Sequence, residues 1–183
     1  MALARLYEDI DGCLNASWNA RVWRDKENPE DLGGYQRGWA HPCHDDFGVE
    51  REVSIAKYRM EYNERLIRAM NNLSVEFVWA TTWRQDAIGV GILMGLLHSP
   101  QRVLHPLDGQ TRFPSIKWKF DAILHEQDHD PSPFIAVDDE WDSDRGYYRE
   151  TLESIGGLVI CPDFNFGITP AHISQMERYL AKF

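Results

Sequence analysis

The chain has 183 residues, 43% of them hydrophobic, and a formal net charge of −10. That length and composition suit one domain with a sizeable core, and the charge argues against a protein that coats nucleic acid, because an acidic surface repels backbone phosphates. Cys13, Cys43 and Cys161 are too few and too scattered for a disulfide scaffold, no leader-like apolar run opens the chain, and no apolar stretch approaches the ~18 residues of a membrane span, so a reducing cytoplasm is the expected compartment.

In chain order, residues 3–8 read as a strand that runs into Asp9-Ile10-Asp11-Gly12. Residues i and i+2 of a strand share a face, so Asp9 and Asp11 are expected to project together where the strand ends. Gly12 lets the backbone turn and approach a ligand closely. Two adjacent carboxylates repel each other unless a cation lies between them or one keeps a proton. Mg²⁺ is the expected cation, and the resulting site would attract phosphate. Asp-x-Asp-Gly also opens calcium loops and plain acidic turns, so the rest of the chain has to decide.

Residues 16–62 differ in character and read as an insertion. Trp18, Trp23 and Trp39, the turn formers Asn28-Pro29, Gly33-Gly34 and Pro42, and Arg21, Arg24 and Arg37 among Glu27, Glu30 and Asp31 leave no helical period. Loops and short strands are expected there, one of them over 53–62. The tryptophans are expected to form a small core of their own; stacking on a base is the second reading. His41-Pro42-Cys43-His44-Asp45-Asp46 has metal-ligand side chains but no second cluster at zinc spacing, and reads as a polar loop.

Beyond the insertion, Asn63 suits the N-cap of a helix carrying Leu66, Ile67, Met70 and Leu73. A strand follows at 75–80, ending in Thr81-Thr82-Trp83, then a glycine-weakened helix over 84–97. A short strand is expected at 102–104 and a helix over 115–124 carrying Lys117 and Lys119. His125 to Pro131 reads as a solvated loop after that helix. Residues 133–137 form an apolar strand ended by Asp138-Asp139, 145–154 a short helix, 157–161 a last strand, and Thr169-Pro170 opens a final helix. Helices alternating with continuously apolar strands predict an α/β chain: a Rossmann-like three-layer α/β/α sandwich with a central, mainly parallel sheet, all in one domain over 1–183.

In such a sheet ligands bind at the carboxyl ends of the strands. Asp9 and Asp11, Thr81 and Thr82, and Asp138 and Asp139 all stand at such ends, with a lysine at the start of a helix between the last two pairs. The order Asp-x-Asp-Gly, strand-Thr, Lys, strand-Asp-Asp resembles the haloacid dehalogenase superfamily. More narrowly, Leu6 to Asn15, Val78 to Trp83, Trp118-Lys119 and Gly167 to His172 look like small members of that superfamily from bacterial and phage genomes, some of them grouped with RNA-repair enzymes.

The resemblance implies a Mg²⁺-dependent phosphatase. Asp9 would be the nucleophile, Asp11 the general acid and base, Thr81 and Thr82 with Gly12 the phosphoryl-binding residues, and Lys119 (or, less well matched, Lys117) the site cation. Mg²⁺ would sit on the Asp9 carboxylate, the Asp11 backbone carbonyl and Asp138, with Asp139 sharing the task or holding the lysine, and Asp142 or Asp144 supporting from the following loop. Asp11 favours a phosphatase over superfamily members that lack the second aspartate. Segment 16–62 falls where the superfamily carries its cap or flap. Glu8 departs from the apolar residue expected beside Asp9; it is read as pointing out of the core or as fraying the strand. A nucleotide or a phosphorylated nucleic-acid end is the expected substrate. The alternatives are a small-metabolite phosphatase and a non-catalytic nucleotide-binding or regulatory module of the same fold. A dinucleotide-binding enzyme is excluded by the absence of Gly-x-Gly-x-x-Gly after the first strand.

Overall fold

The computed structural model describes residues 3–23, 28, 34–40, 58–110 and 115–183. Five strands form one sheet: β1 (Ala4–Glu8), β4 (Val75–Trp79), β5 (Arg102–Val103), β6 (Phe134–Val137) and β7 (Leu158–Ile160). They lie in the order β5-β4-β1-β6-β7, and every pairing is parallel. Parallel neighbours require crossovers, which the helices supply. These are α2 (Glu64–Asn71), α3 (Asp86–Met94), α4 (Ser115–His129) and α5 (Tyr147–Ser154), with α6 (Pro170–Leu180) following the last strand. The result is a Rossmann-like α/β architecture. Between β1 and α2 lie α1 (Asn19–Trp23) and a separate antiparallel pair, β2 (Tyr35–Ala40) and β3 (Tyr58–Asn63).

Alternate residues of the central strands enter two different cores. Leu6, Phe77, Trp79 and Ile135 pack with side chains of α2, α3 and α6 on one face. Tyr7, Val78 and Ala136 pack with Ile116, Trp118 and Ile123 of α4 and Leu152 of α5 on the other. Both faces are covered, which is why β1 and β6 are buried at every position. The chain leaves β1 toward β4 over the first face and leaves β6 toward β7 over the second. Adjacent strands whose connections part in opposite directions open a crevice at their carboxyl ends. That crevice lies between Asp9 and Asp138.

Helix ends follow the sequence cues. The Asn63 side chain accepts from Arg65 N and caps α2. Thr169 and His172 exchange capping bonds at the start of α6, with Pro170 in its first turn. Two expectations fail. The insertion contains the short helix α1, whose five residues are too few to show a period. Trp23 on it is buried and donates Nε1–H to Ile168 O at 2.8 Å. The stretch expected as a loop from His125 is instead the last turn of α4, running to His129, and only Asp130 and Pro131 lie beyond it. Its polar residues have polar partners: Glu126 meets Arg102, and Gln127 donates to the Tyr7 hydroxyl at 3.1 Å. Among the described residues no helix is long and apolar enough to cross a membrane.

Candidate active site

The sheet ladder continues one residue past the ends of three strands. Ala80 N donates to Glu8 O at 2.9 Å, Asp9 N to Val137 O at 3.1 Å, and Asp138 N to Ile160 O at 3.2 Å. Asp9 and Asp138 are thereby fixed side by side at the carboxyl edge. Lys119 reaches both from α4: its Nζ lies 3.0 Å from Asp9 Oδ2 and 2.5 Å from Asp138 Oδ2, in a side chain only 2% exposed. The second Asp138 oxygen accepts from Glu140 N at 2.9 Å. Lys117, two residues earlier, is exposed and paired with Asp121 at 2.5 Å.

Asp9, Asp138 and Asp139 each offer an oxygen within 4.8 Å of the others'. One ammonium among three such carboxyls leaves negative charge in excess. Burial pushes the Asp138 carboxyl up to about 7 against the pull of Lys119, and Asp9 adds to the push. Burial, then Asp9 and Glu140, push Asp139 up to about 6. Burial opposes the charge on Lys119, but Asp138 and Asp9 outweigh it and hold the ammonium protonated well above its ordinary range. An all-carboxylate donor set with surplus charge fits a hard divalent cation such as Mg²⁺.

Asp11 does not join that cluster with its side chain. The same-face rule holds only while a strand continues, and β1 ends at Glu8. Beyond it the chain turns between Ile10 and Asn15, with Gly12 at φ +71°, and the Asp11 carboxyl is held by two other side chains. Its Oδ2 accepts from Trp83 Nε1 and its Oδ1 from Asn15 Nδ2, each at 2.8 Å. Burial pushes the Asp11 carboxyl up, while Trp83 and Asn15 pull it down. Both partners are tied to β3: Glu61 N donates to Asn15 Oδ1 at 2.8 Å, and the Tyr58 ring meets the Trp83 ring edge-on at 5.0 Å. Gly12 has a second role, because a Cβ there would stand 2.6 Å from Asp139 Cγ.

Thr81 is buried where the chain leaves β4, and its Oγ1 accepts from Trp83 N at 3.4 Å; Thr82 is half-buried beside it. Asp142 is exposed and held by Arg149 at 2.5 Å and 3.1 Å, so it does not support the cluster, and Asp144 lies exposed in the 3-10 turn Asp144–Gly146. The insertion's tryptophans do not form a core of their own: Trp23 joins the main core of the domain, and Trp18 and Trp39 are exposed. Arg37 pairs with Glu61, and Arg21 lies over the Trp18 ring. Arg24, Glu27, Glu30, Asp31 and the His41–Asp46 stretch lie outside the described residues. Sequence reasoning missed Trp83 and Asn15 as the side chains that hold Asp11; both flank expected motifs, but nothing in their spacing announces the contact.

Glu8 neither points outward nor frays the strand. It sits in register between Trp79 and Val137, is 0% exposed, and neither carboxyl oxygen has a hydrogen-bond partner among the described residues. Burial, with Asp9 and Asp138 adding to it, pushes its carboxyl well above the ordinary glutamate range. A group whose folded-state pKa is raised favours folding below its unfolded pKa and loses that contribution as pH rises through the folded one. Glu8→Met, similar in length and apolar, is therefore expected to raise unfolding free energy by about 1–3 kcal/mol, with a larger gain at pH 8 than at pH 5. Urea unfolding at both pH values checks this; a variant less stable than the parent at both would mean the carboxyl has a stabilising partner.

Comparison with protein-family models, with curated proteins and with solved structures finds no match.

Proposed function

We propose that the chain is a Mg²⁺-dependent phosphomonoester hydrolase of the haloacid dehalogenase type, acting through an aspartyl-phosphate, with a nucleotide or a phosphorylated nucleic-acid end as substrate. The observation that carries this reading is the convergence of Asp9, Asp138 and Lys119 at the crevice between β1 and β6, with Asp139 within reach of the same point.

Asp9 attacks phosphorus with one carboxylate oxygen, and the ester bond to the leaving oxygen breaks. Lys119 keeps the other oxygen of Asp9 neutralised and leaves the attacking one free. Asp11 gives its proton to the leaving oxygen; burial pushes its carboxyl in the direction a proton donor needs. Asp11, now ionised, takes a proton from the water that attacks the phosphoryl-aspartate, releasing phosphate and restoring Asp9. Thr81 hydrogen-bonds a phosphoryl oxygen. Asp9, Asp138 and Asp139 are the residues that would hold Mg²⁺, which when bound supplies charge neutralisation and orientation of the phosphoryl group. On this reading β2 and β3 form the flap, and β3 sets the position of the proton donor through Asn15 and Trp83.

The test is release of phosphate from an aryl phosphate, then from a panel of nucleotides and 3′- or 5′-phosphorylated oligonucleotides, in Mg²⁺ and in EDTA. Release in Mg²⁺ that EDTA abolishes is expected. Silence across the whole panel would overturn the reading and favour a binding module.

A further inference from the structure

The turn that leaves β4 carries an arginine in an unusual state. Arg84 has φ 52°, a left-handed backbone that residues with a side chain rarely adopt. It is half-buried, its Nε is shielded from solvent and has no acceptor, and among the described residues its guanidinium makes neither a hydrogen bond nor an ion pair. Other arginines of this acidic chain do otherwise: Arg5, Arg37, Arg59, Arg102 and Arg149 each meet a carboxylate. A shielded N–H donor without an acceptor is rare in folded proteins and points to a missing partner.

His105, which follows the end of β5, feels the guanidinium: burial and then Arg84 lower its pKa. Gln85 Nε2 lies 3.3 Å from His105 Nε2. With the amide donating, that imidazole carries its proton on Nδ1, a further N–H at the same edge. Leu104 N donates to Trp79 O at 2.8 Å, so His105 stands at the carboxyl edge of the sheet, on the side of β4 away from Asp9. Neighbouring strands are about 4.8 Å apart, which places the end of β5 roughly 10 Å from that of β1. A nucleotide bearing two phosphates covers that reach.

We propose that Arg84, with Gln85 and His105 beside it, is an anion subsite for a second phosphate of the substrate. The substrate is then a nucleoside bisphosphate or the phosphorylated end of a nucleic-acid strand and not a lone monoester. A guanidinium offers several donors in a planar fork that matches phosphate oxygens, and Thr81, which on the phosphatase reading binds the reacting phosphoryl group, lies three residues earlier. This inference rests on the phosphatase reading for the identity of the first phosphate.

Affinities are measured in Mg²⁺ on an Asp9→Asn background, which prevents turnover, by calorimetry. The ligands are adenosine 5′- and 3′-monophosphate, adenosine 3′,5′-bisphosphate and a 5′-phosphorylated dinucleotide. At least one doubly charged ligand is expected to bind tenfold or more tightly than either monophosphate, as a charged hydrogen bond implies. Adding Arg84→Asn, a residue that tolerates the left-handed backbone, is expected to erase that advantage and leave monophosphate affinity within about threefold of the parent. Arg84→Lys, which keeps the charge but not the fork, should restore part of it. Preference for the bisphosphate identifies a terminal second phosphate, and preference for the dinucleotide a backbone diester. Equal affinity for singly and doubly charged ligands, or an advantage that survives Arg84→Asn, overturns the subsite. Because binding needs no turnover, an Arg84-dependent preference in a protein that hydrolyses nothing would sink the phosphatase reading alone.

Discussion

Asp9→Asn is expected to lower Mg²⁺-dependent phosphate release by on the order of 10³-fold or more, the scale of losing an attacking group, without unfolding the chain. Its backbone N–H holds the ladder to Val137 O, and that bond does not depend on the side chain. The amide has the shape of the carboxylate but cannot form the acyl phosphate. It also removes one negative charge from a cluster that has too many, so stability in EDTA should be unchanged or higher. Steady-state kinetics together with acid-quench trapping of a phosphorylated protein check both halves. Full turnover retained by the variant would exclude the covalent route, and loss of turnover together with loss of stability would leave the role of Asp9 structural.

The sheet was legible because its signals are local. The apolar runs at 77–79 and 134–137 require cover on both faces, and the punctuation at Asn63 and Thr169-Pro170 works through side-chain bonds to the very next turn. The order of the strands was not legible, since nothing in β1 states that β4 and β6 flank it. The same divide runs through the site. Asp9, Asp138 and Lys119 could be read because each stands just beyond a strand or on the inner face of a helix, where direction follows from the backbone. The partners of Asp11 could not be read, because β1 ends at Glu8 and the same-face rule does not extend into the turn, where Asn15 and Trp83 hold the carboxyl. Glu8 reads as outward-facing or fraying because a fully buried, unpartnered carboxyl is against expectation for a strand interior. The last turn of α4 reads as a loop because Glu126 and Gln127 look solvated until Arg102 and Tyr7 are brought to them from elsewhere in the chain.

Lys119→Met is the second large effect, and it separates electrostatics from chemistry. Methionine nearly matches the length of the lysine stem, so the cavity term is small, but the only cation touching Asp9 and Asp138 among the described residues is gone. Breaking a buried ion pair by removing one partner typically costs about 3–5 kcal/mol. A loss of that size is expected in EDTA by urea unfolding. Mg²⁺ should restore more stability to the variant than it adds to the parent, because the divalent ion then supplies the only positive charge in the cluster. Lowering the pH toward 5 should also narrow the gap. The Asp138 and Asp139 carboxyls, already pushed up to about 7 and about 6, then take up protons and need the ammonium less. Turnover in saturating Mg²⁺ is expected to remain down by about 10²–10³-fold, since stabilising the transferred group requires a fixed charge at the attacking residue. A variant as stable as the parent in EDTA would show that the cluster is balanced by protons and not by Lys119. A variant destabilised but fully active in Mg²⁺ would confine Lys119 to folding and remove it from the mechanism.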